Sequence, residues 1–149
     1  MPLPEVPDHA IEFNRAAADW REAIRLAGAA LVRSGVATDA YTERMIGVVD
    51  EFGAYIVVAP GLALAHARPG RDVRRDGLSV VTLAEPIAFG HAHNDPVSVV
   101  VGLASVSPDT HVSLVAGIAN VFNDPGALPA LRAATTADEV RAVLHGAEV

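Results

Sequence analysis

There is no cysteine in the 149 residues. Disulfides, thiolate metal sites and a thiol nucleophile are therefore excluded, and the redox compartment is left open. Lysine is absent too. All 11 basic residues are arginines, a bias that source-genome composition can produce without any demand for guanidinium geometry. Net positive charge is also missing: the formal balance is −7, so a polyanion would meet no basic surface large enough to release its counterions. The one basic cluster, Arg71, Arg74 and Arg75, is too short to reverse this, and no nucleic-acid partner is expected. The opening stretch MPLPEVPDHA lacks a basic region followed by an apolar core, so no secretory signal is expected and a cytoplasmic location is. No apolar run approaches the roughly 20 residues of a spanning helix; the longest candidate, Tyr55 to Ala65, is interrupted by Pro60-Gly61. A P-loop, a GxGxxG after a strand and a GxSxG elbow are all absent, which leaves nucleotide binding and triad hydrolysis without local support.

What is present is apolar. The 51% hydrophobic content can fill one sizeable core, and a single domain over residues 1–149 is expected, with no internal repeat or linker. Asp19 and Glu22 have the spacing of a capping box. Ile24, Ala27, Ala30 and Leu31 then recur at helical intervals until Gly35, which predicts a helix over 19–34. Tyr41, Met45, Val48 and Phe52 predict a second over 38–52, with Gly53 as its terminator. Four short apolar runs bounded by turn residues follow, in AYIVVAPGLALAH, DGLSVVTLAEP and DPVSVVVGLAS, and read as four strands buried on both faces. The last third returns to helix: 110–122, then 125–133 with Asp124 as N-cap and Pro125 leading, then a helix capped by Thr136 and ended by Gly146. Helices before and after a block of strands predict a sheet covered by helices.

Three groups of residues could carry chemistry. In GLALAHARPG, His66 stands just past a predicted strand, where a rigid backbone can present a neutral imidazole to solvent. Such a ring can accept a phosphoryl group, whose charge approaching −2 then needs donors such as Arg68 and the turn N–H groups that follow. His111, in DTHVSLVAGIANVF, falls in the first turn of a helix, where the dipole favours a neutral imidazole and a nearby anion. From the residues alone, a hydrogen-bonded strand-end histidine and a surface cap remain open as alternatives. In FGHAHNDP, His91, His93 and Asp95 have the alternating spacing of some metal sites, although a third protein ligand is not apparent and His9 and His145 lie near the termini.

Taken together, APGLALAHARP, GLSVVTLAEPIAFGHAHNDPVSVVVGLAS and DTHVSLVAGIANVF resemble the EIIA component of the bacterial phosphoenolpyruvate-dependent sugar phosphotransferase system. The type is mannitol/fructose, closest to the ascorbate branch, and the similarity is clearest over residues 41–144. The resemblance implies an α/β fold, a three-layer α/β/α sandwich with a mixed central sheet. It implies that His66 takes a phosphoryl group from the histidine-containing phosphocarrier protein and hands it to an EIIB component, with the membrane EIIC served indirectly. His111 matches the family's second active-site histidine, and Arg68 belongs to the HAR that resembles the ascorbate branch. No metal, nucleotide or other cofactor is implied. The apolar content is compatible with a homodimer, and the transported sugar is not legible because specificity lies largely in the membrane component.

Two positions depart from the family pattern. Ala65 stands where proline usually precedes the active histidine, which loosens the backbone without removing a reactive group. Asp50, sixteen residues before His66, stands where many relatives carry a basic residue. A −1 charge about 6 Å from a −2 phosphoryl would cost roughly 5 kcal/mol at an effective dielectric of 20 and roughly 1.4 kcal/mol in bulk water, so its direction decides its effect. These departures motivate a second expectation, a non-transporting regulatory protein acting through protein binding. A third is a metal-dependent hydrolase built on His91 and His93.

Overall fold

The structure is a computed structural model in which residues 3–146 are described. Its strands are Ile11–Arg15 (β1), Val57–Ala59 (β2), Leu62–Ala65 (β3), Gly77–Ile87 (β4) and Val97–Ala104 (β5). Its helices are Trp20–Arg33 (α1), Asp39–Phe52 (α2), Pro108–Phe122 (α3), Ala127–Ala133 (α4) and Ala137–His145 (α5), with a short 3-10 turn at Asp8–Ala10. The strands form one mixed sheet in the order β1-β4-β5-β3-β2. β1 runs parallel to β4 and β3 parallel to β5, while β4–β5 and β2–β3 are antiparallel.

Helices cover both faces. Ala63 and Ala65 of β3 join a core with Ala27 and Leu31 of α1 and Tyr41, Met45 and Val49 of α2. Leu62 and Leu64, on the opposite face, pack with Leu114 and Ile118 of α3, Leu131 of α4 and Leu144 of α5. The sequence LALA thus sends small residues one way and large ones the other, and each buried leucine stabilises the sandwich by about 1.5–3 kcal/mol. Among the described residues, no helix is long and apolar enough to cross a membrane.

The small residues permit a close approach. A Cβ on Gly102, which pairs with Ala65 in register, would stand 2.3 Å from the Ser79 Oγ and 3.4 Å from the Ala27 Cβ. The Ser79 hydroxyl donates to the Ala27 carbonyl of α1 at 2.8 Å, so helix and sheet meet with little between them. On the helix pair, a Cβ on Gly28 would fall 2.2 Å from the Thr42 Oγ1 of α2.

Several boundaries differ from the sequence expectation. A fifth strand, β1, escapes it because only Ile11 of IEFNR is buried; a half-solvated edge strand has no apolar run to betray it. The α1 cap is as expected, with the Asp19 carboxylate accepting from Glu22 N at 2.9 Å; the Glu22 carboxylate reaches one residue further back, to Ala18 N at 2.8 Å. α3 starts two residues early, at Pro108, because Ser107 and Thr110 form a reciprocal capping box. α4 begins at Ala127 rather than Pro125. Asp124 folds a preceding turn instead, its carboxylate accepting from Gly126 N at 2.9 Å and its carbonyl from Ala127 N at 3.1 Å.

Candidate functional site

β3 and β5 run parallel and end side by side, so the residues just beyond them meet at the carboxyl edge of the sheet, where open α/β sheets place their ligand sites. His66 follows β3. Ser105 follows β5 and leads through Ser107 into α3, whose fourth residue is His111. The two imidazoles lie with ring centroids 5.4 Å apart and planes 38° apart, and the Tyr55 ring stands edge-on to His66 at 5.9 Å.

The half-buried His66 ring has its Nδ1 2.7 Å from the Leu64 carbonyl. A carbonyl can only accept, so Nδ1 carries the hydrogen and Nε2 keeps a lone pair. Burial lowers the imidazole pKa below the ordinary 6.5; the Leu64 hydrogen bond opposes this and His111 adds to it. His111 places its Nδ1 3.1 Å from the hydroxyl of buried Ser105, while its backbone N–H is already used by the Ser107 carbonyl at 2.9 Å. With Ser105 donating, Nε2 of His111 carries the hydrogen. One ring then offers a lone pair and the other a donor.

Arg68 is exposed beside them, and among the described residues its guanidinium forms no ion pair. It borders two depressions that share His111. One, of about 1110 Å³, is also lined by Glu43, Arg44, Val48, Glu51, Phe52, Tyr55 and His66. The other, of about 730 Å³, is lined by Arg71, Val106, Pro108 and Val112. Phe52 and Val112 are each 67% exposed, and Tyr55 and Val106 about half. The histidines thus sit within an open apolar surface of the kind that protein contacts use.

Tyr41, Arg44 and Asp72 have roles that sequence reading missed. The buried Tyr41 hydroxyl lies 2.6 Å from the Leu103 carbonyl and 3.2 Å from the Ala67 carbonyl, and it accepts from Ala67 N at 3.0 Å. Burial pushes its pKa up to about 12. Arg44 grips the Asp72 carboxylate with two nitrogens, at 2.7 and 2.6 Å, and donates to the Arg68 carbonyl at 2.8 Å. That grip holds the Asp72 carboxyl below the usual carboxylate range. Tyr41 is legible only as part of a helical apolar stripe. Nothing local connects Arg44 to a loop 24 to 28 residues away.

Asp50 faces elsewhere. It pairs with Arg21 of α1 and lines neither depression. The arginine cluster is dispersed: Arg71 reaches the smaller depression, whereas Arg75 donates to the Ser34 carbonyl behind the sheet end. His91 and Asp95 serve their own turn. The Nδ1 of His91 accepts from His93 N and Asn94 N at 3.1 and 3.0 Å, and the Asp95 carboxylate accepts from the backbone of Phe89, Gly90 and His91. Their alternating spacing builds a loop rather than a metal centre; among the described residues, no group of three or more His, Asp or Glu side chains could hold an ion. His9 and His145 line neither depression around His66.

Known proteins similar to this chain share one family description. Residues 6–146 match the family described as "Phosphoenolpyruvate-dependent sugar phosphotransferase system, EIIA 2". The chain is 37% identical over 134 residues to an ascorbate-specific PTS system EIIA component of Salmonella choleraesuis, covering 89% of this chain and 87% of that one. It is also 37% identical over 131 residues to the component of the same description from Escherichia coli K12, covering 87% and 85%. The crystal structure of IIA mannitol from Escherichia coli superposes with a TM-score of 0.82 at 25% identity, covering 95% of this chain and 99% of that one.

Proposed function

Because the chain belongs to the EIIA type 2 family of the phosphoenolpyruvate-dependent sugar phosphotransferase system, we propose that it carries a phosphoryl group on Nε2 of His66. The group comes from a histidine-containing phosphocarrier protein and passes to an EIIB component in the cytoplasm, the membrane EIIC being served indirectly. The observation that carries this reading is the His66 ring itself: Nδ1 tied to the Leu64 carbonyl, Nε2 without a hydrogen-bond partner among the described residues, and a second imidazole 5.4 Å away.

The chemistry follows from the tautomer. The Nε2 lone pair forms the new N–P bond as the donor's N–P bond breaks and its electron pair returns to the donor imidazole. No base is needed, since the attacking nitrogen carries no proton. The product is a phospho-imidazolium whose Nδ1–H stays on the Leu64 carbonyl. A ring that keeps this proton leaves as neutral imidazole when the EIIB nucleophile attacks phosphorus, so the same hydrogen bond favours onward transfer. His111 and Arg68 stabilise the transferred oxygens, each charge-assisted hydrogen bond contributing about 1.5–3 kcal/mol. Phe52, Tyr55, Val106 and Val112 form the dry surround against which a partner brings its own reactive residue into line.

The curated relatives are ascorbate-specific, which makes ascorbate the first sugar to test. Ala65 and Asp50, the departures that favoured a purely regulatory role, leave the ring geometry intact: Ala65 is a buried strand residue paired with Gly102, and Asp50 is turned to Arg21. Incubation with phosphoenolpyruvate, enzyme I and the phosphocarrier is expected to add one acid-labile phosphate to the wild type and none to His66→Ala. Normal labelling of that variant refutes the assignment.

A further inference from the structure

Resting on the reading of His66 as the phosphoryl acceptor, we infer that the backbone N–H of Arg68 is a ligand of the phosphoryl group, and that Tyr41 and Arg44 are the positioning residues that aim it. Of the three residues after His66, only one has a backbone donor to spare. Ala67 N–H is used by the Tyr41 oxygen at 3.0 Å, and Pro69 has no N–H. Between them, Arg68 N–H meets no acceptor among the described residues.

Its direction is fixed from both sides. In a trans peptide the C=O and the following N–H point oppositely. The Ala67 carbonyl faces the buried Tyr41 oxygen at 3.2 Å, so the Arg68 N–H, two residues past His66, points away from that phenol. The single phenolic hydrogen goes to the nearer Leu103 carbonyl at 2.6 Å, which anchors Tyr41 to the end of β5. The next peptide is pinned by Arg44, whose Nη2 donates to the Arg68 carbonyl at 2.8 Å while Asp72 holds the guanidinium by two contacts. The guanidinium also lies 5.3 Å over the Tyr41 ring, so the two side chains brace one another. An N–H with no acceptor among the described residues can take up incoming charge without breaking a hydrogen bond inside the protein.

The test uses the full chain and phosphoramidate, a small phosphoryl donor that needs no protein partner. Nε2 of His66 forms the N–P bond, the reagent's own P–N bond breaks, and ammonia leaves with that electron pair. Backbone amide NMR of the wild type is expected to show the Arg68 N–H moving downfield more than any other amide on phosphorylation. In Arg44→Ala that movement should shrink and phosphorylation should slow roughly ten-fold, the loss of one hydrogen bond to a charged group. Arg44→Lys, which can still donate to the Arg68 carbonyl, should recover part of both. Tyr41→Phe, which removes the partner of Ala67 N–H, should also blunt the Arg68 response.

A wild-type Arg68 amide that stays in place overturns the inference, as does failure of the reagent to modify His66. Equal amide movement in Arg44→Ala and wild type overturns the positioning role. Failure of the phosphocarrier to label a chain that phosphoramidate labels, with the Arg68 response intact, instead overturns the proposed partner reaction and leaves this inference supported.

Discussion

Asp50→Asn separates two accounts of a carboxylate sixteen residues before His66. If the carboxylate faced a −2 phosphoryl at about 6 Å in a medium of effective dielectric 20, its removal would relieve roughly 5 kcal/mol and speed phosphorylation by three to four orders of magnitude. The structure gives the other account. Asp50 is paired with Arg21, the two side chains are 49% and 44% exposed, and neither borders the cleft of His66. Its charge is compensated locally and screened by water, so a rate change of less than about two-fold is expected. The substitution breaks an exposed ion pair, which is worth about 0–1 kcal/mol in stability. Initial rates of phosphoryl uptake from the phosphocarrier, followed by quenched-flow gel separation at physiological ionic strength, measure the effect directly. An increase above ten-fold would mean that Asp50 reaches the phosphoryl group instead of turning to Arg21.

Two further outcomes follow from the geometry. Because burial lowers the His66 pKa, its nucleophilic neutral form should persist on acidification past the usual 6.5, and phosphorylation should fall only below that pH; titration of the His66 ring by 15N NMR checks this. The stability effect has a matching sign: between the lowered value and 6.5 the unfolded imidazole binds a proton that the folded one does not, so stability declines as pH falls through that window. Gly28→Ala should destabilise the fold by about 1–3 kcal/mol despite alanine's better helix propensity, since its Cβ would fall 2.2 Å from the Thr42 Oγ1 across the α1–α2 contact. A lower urea midpoint at unchanged slope reports it, and an unchanged midpoint contradicts the packing described.

The parts of this molecule that were legible in the sequence are those where neighbouring residues act together. The apolar runs announced β2 to β5, and the run that ends in GLALAH placed His66 at a strand end. Caps at Asp19 and Thr136 act within three residues, so their signal is local. What stayed hidden depends on distance or on partial burial. β1 is amphipathic and short at a sheet edge, so its pairing with β4 leaves no mark in its own composition. Tyr41 reads as a core residue, and only the fold brings its hydroxyl between the Leu103 and Ala67 backbones. At 91 and 93 ligand-like spacing falls on a turn in which the His91 ring accepts from the His93 and Asn94 amides.

The tautomer of His66 is set by the main chain two residues back, not by another side chain. No point substitution at Leu64 deletes that acceptor, since every amino acid brings the same carbonyl. A mutational scan of the cleft would therefore register the histidines and their arginine yet pass over the device that decides which nitrogen reacts. Only an alteration of the backbone itself, such as an ester in place of the amide or a shift of the strand, would expose it.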